Sequence, residues 1–210
     1  MDIKPNQLDA ALSLLGWNQS KLAESCGCQQ AAISKMINGT QKIQDQVVKA
    51  LIKHGIQFIQ DGVTLKQHYS YVIEDNDWYL TLLDDVYDSL LDRPDAELLI
   101  FFGDDRKSPP EVFNRLKKMR NAGIAIRQII EEGNDCIHGA LPEYRQITSE
   151  YFTNAVSLVY GNKTAYCIDN NTRAMVHHDP AMAMAARNQF NAMFHMIGKQ
   201  PERSTADERF

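Results

Sequence analysis

Apolar residues recur at helical spacing through the first fifty or so positions and then at strand spacing. Leu8, Leu12 and Leu15 share one face of a first helix, and Val47, Val48 and Leu51 share one face of a later helix that His54-Gly55 ends. Between them lie two short segments. Leu22 and Ala23 are the inward positions of one, and Cys28, Ile33 and Met36 those of the next. Asn18 stands where an N-cap belongs. Gly27 supplies a sharp stop and Asn38-Gly39 a second. Alternation over residues 56–59, then Asp61-Gly62, then Val63-Thr64-Leu65, predicts a hairpin, and the polar stretch 67–77 reads as a connector.

The pattern then changes again. Trp78, Leu82, Leu83, Val86 and Leu90 mark an amphipathic helix with Asp84, Asp85 and Asp88 outward. Residues 97–102, continuously apolar after Glu97 and too short for a globular helix, predict a buried strand. Ser108-Pro109-Pro110 opens a helix with Val112, Phe113, Leu116 and Met119 inward and Lys117, Lys118 and Arg120 outward. A strand at 124–130 follows. Strand, helix and strand in so few residues predict a parallel crossover. Further strands are expected near 144–147, 155–160, 164–168 and 173–176, with a turn at Gly161-Asn162-Lys163. Asp179-Pro180 starts a last helix carrying Met184, Phe190, Met193, Phe194 and Ile197. The expected fold class is α+β. An all-α domain of four to five helices plus a short hairpin (1–66) and a connector (67–77) precede an α/β sheet domain with flanking helices (78–198) and a flexible tail (199–210).

Residues 19–39 fit the pattern Gln-x-x-Leu-Ala-x-x-x-Gly-x-x-x-x-x-Ile-Ser-x-x-x-x-Gly through Gln19, Leu22, Ala23, Gly27, Ile33, Ser34 and Gly39. The segment resembles the helix-turn-helix of the Cro/repressor (Xre-like) family, over roughly residues 8–65. Cys28 stands where that family usually has valine or isoleucine, and Ile37 where many members are acidic. The resemblance implies operator DNA as partner, with Gln19 on a phosphate and a recognition helix over 29–37. Gln29, Gln30, Ala31, Ser34 and Lys35 on its outer face, with Asn38, Thr40 and Lys42 after it, complete the candidate DNA-binding set. Glutamine amides both donate and accept, which suits reading adenine in the major groove.

Charge changes how such a head would work. The whole chain carries −5, but residues 1–66 hold seven lysines against five acids, or +2, which leaves −7 on the rest. Phosphate contacts dominate affinity, so a weakly basic head alone binds modestly and two copies on one palindromic site would correct that. A homodimer held by the acidic domain is therefore expected. The sequence has no apolar run of membrane-spanning length and no secretory pattern at its start, so a cytoplasmic protein with reduced Cys26, Cys28, Cys136 and Cys167 is expected.

The second domain has weaker signals. Tyr144-Arg145, the hairpin at 159–165, Asp179-Pro180 and a Phe-bearing final helix are similar to phospholipase D-like effector domains of some bacterial and archaeal regulators. That implies a sheet core, flanking helices and dimerisation. An active enzyme of that kind needs histidine and lysine two residues apart, yet none of the six histidines has lysine two positions on. His177-His178-Asp179 reads as a strand end and helix cap, not as metal ligands. The pairs Asp84/Asp85, Asp104/Asp105 and Glu131/Glu132 read as solvated faces and loop ends, and Met175, Met182, Met184, Met193 and Met196 as core packing. No catalytic residue, metal or cofactor is expected, and the chain is read as no enzyme.

The expected function is a sequence-specific, dimeric transcriptional repressor, with a small-molecule or protein effector at the second domain. Two alternatives stand beside it: an antitoxin-like, partner-binding module that regulates its own promoter, and a phosphodiester-cleaving enzyme.

Overall fold

The structure, a computed structural model, describes residues 3–66, 69–153 and 155–209. The chain divides into two compact units, Met1–Tyr69 and Ser70–Phe210.

In the first unit four helices, α1 (Pro5–Leu15), α2 (Gln19–Cys26), α3 (Gln30–Ile37) and α4 (Asp45–Lys53), precede an antiparallel hairpin of β1 (Ile56–Ile59) and β2 (Gly62–Leu65). Leu8, Leu22, Ile33, Met36, Val47 and Leu51 are fully buried in one core. Gln7 joins them as the one buried polar side chain among the described residues of this unit. It accepts from the Lys4 N–H and donates to the carbonyls of Ile59 (2.7 Å) and Gly62 (2.8 Å). One amide thus satisfies three backbone groups and fastens α1 to the hairpin.

The second unit is a seven-stranded mixed sheet in the order β3-β9-β8-β7-β4-β5-β6. Its strands are β3 (Tyr69–Ile73), β4 (Glu97–Phe101), β5 (Ala125–Glu131), β6 (Tyr144–Ile147), β7 (Ser157–Tyr160), β8 (Lys163–Ile168) and β9 (Arg173–His178). The β4–β5 and β5–β6 pairs are parallel and β7 to β9 antiparallel, so the expected crossover is present. Helices α5 (Trp78–Leu90) and α6 (Pro110–Asn121) cover one face and α7 (Pro180–Ala192) the other. β4 shows why its sequence is apolar after Glu97: Leu98 and Ile100 pack under α5 and α6, Leu99 and Phe101 under α7.

Several expectations are corrected. The connector contains strand β3, and the division between the units falls inside that strand, between Tyr69 and Ser70. Of the other connector positions, Gln67 and His68 lie outside the described residues. The tail is tied down as far as it is described. Lys199 bridges Gln146, the Ser204 hydroxyl donates to the Ile137 carbonyl, Arg203 meets Asp135 and Arg209 reaches the Gly139 carbonyl. A charged segment without an apolar stripe can dock through such polar bonds, which periodicity does not register. Asp85 is not outward. It is the buried centre of a network in which Lys163 Nζ donates to both its oxygens (3.1 and 2.9 Å), to Ser89 and to Tyr71, while Tyr160 also donates to Asp85. Arg120, expected outward, is held inward on Glu143 at 2.7 Å. Of the five methionines expected in the core, Met193 packs against it and Met175 is half-buried, but Met182, Met184 and Met196 are exposed, the last two by 65% and 84%, and Ile197 is open too. Past Ala192 the helix widens to a π-helical turn over Met193–Ile197, which takes Met196 and Ile197 off the inward stripe that Phe190 and Phe194 keep, while Met184 lies on the outer side of α7 itself.

Candidate nucleic-acid interface

The local chemistry of α2 and α3 sets their ends. The Asn18 side chain accepts from the Lys21 N–H at 2.8 Å, so α2 begins at Gln19. Gly27 stops it at φ 67°, a conformation a side chain would strain, and its N–H returns to the Ala23 and Glu24 carbonyls. Helix α3 then starts at Gln30, one residue later than expected. Gln29 is its N-cap, with no side-chain capping bond, and its carbonyl takes the first helical N–H groups.

Ile33 and Met36 face inward and are fully buried. Gln29, Gln30, Ala31 and Lys35 are exposed and Ser34 is half-buried. Gln30 Nε2 donates to Gln19 Oε1 at 2.8 Å, which joins the first residues of the two motif helices. That bond leaves the Gln30 oxygen and its other N–H free to face outward. Beyond α3, Thr40 donates through its hydroxyl to the Lys35 carbonyl (3.1 Å), which also receives the N–H groups of Thr40 and Gln41. Asn38, Thr40 and Lys42 are exposed around this turn. Lys35 and Lys42 carry no ion pair among the described residues, whereas Lys21 is paired with Glu24 and Lys4 with Asp61.

Gln44 and Gln46 were not among the expected residues. Gln46 Nε2 lies 2.9 Å from the Cys28 sulfur and 3.1 Å from Gln44 Oε1, which adds two amides beside the approach to α3. The glutamine-rich run at positions 41–46 was the available signal. Burial, together with the adjacent Cys28, raises the Cys26 thiol to about 11. It is therefore a poor nucleophile at neutral pH.

The acidic pairs of the second unit are not alike. Asp104 and Asp105 are both buried, against the expectation of solvated loop ends. Burial works against the Asp104 charge, but hydrogen bonds and charge from Arg106 and Lys107 outweigh it and hold the carboxyl below its ordinary value. At Asp105 the balance is the opposite. Burial pushes it up and outweighs the hydrogen bonds from Gln128 and Tyr144 and the charges of His138 and Arg120. Gly103 lets Gln128 in, since a Cβ there would collide with the Gln128 amide. Asp179 caps α7 through the N–H groups of Ala181 and Met182, and His177 hydrogen-bonds Ser70. Among the described residues no group of three or more His, Cys, Asp or Glu side chains is placed to hold a metal, and no helix is long and apolar enough to cross a membrane.

Residues 10–54 match the helix-turn-helix family, so the N-terminal unit carries the DNA-binding element of a transcriptional regulator. No curated protein matches the chain. Among solved structures, it is similar to NUC, a phospholipase D family member from Salmonella typhimurium, at TM-score 0.45 and 11% identity over 65% of this chain and 99% of that one. It is similar to TrmBL2, an archaeal chromatin protein described with a novel mode of DNA binding, at TM-score 0.43 and 10% identity over 62% of this chain and 51% of that one. It is also similar to a phosphatidylserine synthase from Haemophilus influenzae, at TM-score 0.44 and 8% identity over 81% of this chain and 48% of that one. These enzyme-family neighbours correct the expectation that the chain is no enzyme. The missing histidine–lysine pair removes one mechanism, not every one.

Proposed function

We propose that this protein is a sequence-specific transcriptional repressor that works in the cytoplasm as a homodimer and reads a palindromic operator with α3. The observation that carries this reading is the exposed amide face of α3 with Gln30 anchored on Gln19. Holding the Gln30 amide in advance lowers the conformational cost of a bidentate contact to adenine. Gln29 and Ala31 flank it, Ser34 and Lys35 extend it by one turn, and Asn38, Thr40 and Lys42 lie next to the path of a phosphate backbone. Two copies reconcile a head of only +2 with useful affinity, and their half-sites would lie about 10 base pairs apart. Repression follows from a docked dimer covering a promoter.

DNA selected by the full-length protein from a random-sequence pool tests this. The expected consensus has two inverted half-sites. Gln29→Ala with Gln30→Ala abolishes the preference for it while circular dichroism is unchanged. Lys35→Ala with Lys42→Ala keeps the preference but lowers the salt dependence by about 1 in slope per lysine. An unchanged consensus in the glutamine double variant would overturn the assignment of α3. A monomer by light scattering at micromolar concentration would overturn the dimer.

A further inference from the structure

Three adjacent strands of the second unit present a floor toward α7. Their register places Phe101, Ser157 and Tyr166 in one row, with Val159 and Thr164 in the next. Above this floor stand Ala186, Gln189 and Met193, and the space between is a cavity of about 490 Å³. We propose that this cavity binds a small, uncharged aromatic molecule carrying one hydrogen-bonding group.

The lining decides the chemistry. It contains no charged residue, so an ion entering it would lose its hydration with no opposite charge in return. Phe101, Phe102 and Tyr166 offer ring edges and faces, which suit an aromatic guest. The volume falls in the range of roughly 300–1,000 Å³ that holds small-molecule ligands. The polar anchor is Thr164. The residue is 2% exposed, and its Oγ1 is buried with no hydrogen-bond partner among the described residues. Buried hydroxyls are nearly always paired, so one left unpaired on the wall of an uncharged cavity is placed to bond a guest.

Two irregularities bound the same cavity. Phe102 holds φ 57°, a strained conformation for an aromatic residue, and lines the wall. Met193, also in the lining, is where α7 changes to its π-helical turn. Strained backbone and π-turns both concentrate where proteins hold ligands. The site lies wholly in the second unit, so it stands or falls apart from the DNA-binding reading.

The test titrates the full chain with 2-naphthol, naphthalene and naphthalene-2-sulfonate, followed by calorimetry. The expected result is saturable binding of one 2-naphthol per chain, weaker binding of naphthalene and none of the sulfonate. Thr164→Val keeps the shape and removes the hydroxyl. It should weaken 2-naphthol about five- to tenfold, leave naphthalene within about twofold and raise the Tm of the free protein. Ala192→Trp, at an exposed position on the rim, should block both neutral probes without touching the core. The proposal is overturned if 2-naphthol fails to saturate, if the sulfonate binds as well, or if either variant keeps wild-type affinity for 2-naphthol.

Discussion

The two units bury polar groups differently. Among the described residues of the helical unit one polar side chain is buried, Gln7, and all its partners are backbone groups. The sheet unit buries Asp104, Asp105, Gln128, Asn134, Lys163 and Thr164, and most of them meet side chains from distant parts of the chain. A small helical unit obtains its specificity from caps, glycines and an apolar stripe. A layered sheet has many alternative strand pairings, and charges that fit one arrangement only can exclude the others. Substitutions at Lys163, Gln7 and Asn18 either break that contrast or make it quantitative. The two tryptophans of the chain provide the means, because Trp17 lies in the helical unit and Trp78 in the sheet unit.

The largest effect is expected at Lys163. Replacing it by methionine leaves Asp85 buried with only hydroxyl partners, at a cost of about 3–5 kcal/mol. The variant should lower the urea midpoint reported by Trp78 in a Trp17→Phe background and leave the Trp17 signal of a Trp78→Phe background unmoved. A pH series supplies the sign. Burial opposes the Asp85 charge, but the charge and hydrogen bonds of Lys163, with Tyr160 and Tyr71, outweigh it and hold the carboxyl below 3.8. Its contribution is therefore present above that value and lost as the pH falls through the lower folded one. Without Lys163, burial raises the group instead, and the contribution reverses. The gap between wild type and variant should narrow on acidification from about pH 6 to about pH 3. A gap independent of pH would mean that Asp85 does not carry the effect. Adding Asp85→Leu should recover most of the loss, since an apolar pair can replace a buried ionic one.

This contrast also explains what could be read from the chain alone. Helices α2 and α3 were legible to within about a residue, because Asn18, Gly27 and Gly39 act on their immediate neighbours. Strand β4 was legible from its apolar run and the Gly103 break after it. Asp85 was misread as outward because stripe-counting places every charge in water, and its partner Lys163 lies 78 positions away. Asp104 and Asp105 were misread because a loop end was taken to be solvated, whereas Gln128, Asn134 and Tyr144 from later in the chain enclose them. Ile197 was placed inward by extending α-helical spacing through a segment that turns π-helical, and Met184 by assigning it to the inward stripe of α7 that Ala183 and Phe190 occupy. In the candidate interface the exposed positions followed from the pattern. The Gln19–Gln30 bond did not, because it depends on how two helices cross.

Gln7 tests the other side of the contrast with a smaller effect. Gln7→Ala strips partners from the Lys4 N–H and from the Ile59 and Gly62 carbonyls. The expected loss is about 1–3 kcal/mol, read by Trp17 in a Trp78→Phe background. A loss under about 0.5 kcal/mol would show that water takes over the three groups, so that the helical unit depends on its apolar core alone.

The smallest effect is expected at Asn18, where the contact is local and solvent is near. Its side chain satisfies one N–H of α2, that of Lys21, so Asn18→Ala should cost about 1 kcal/mol and Asn18→Gly only a few tenths. Asn18→Asp should keep the bond and add a favourable charge at the positive end of the helix, matching or exceeding wild type at low salt. The order Asp, Asn, Gly, Ala is the signature of a cap, since loss of packing would make glycine the worst of the four. If alanine here costs as much as Gln7→Ala, Asn18 does more than cap. The Gln19–Gln30 bond beside it is the group to examine, because moving the first turn of α2 moves Gln19 with it.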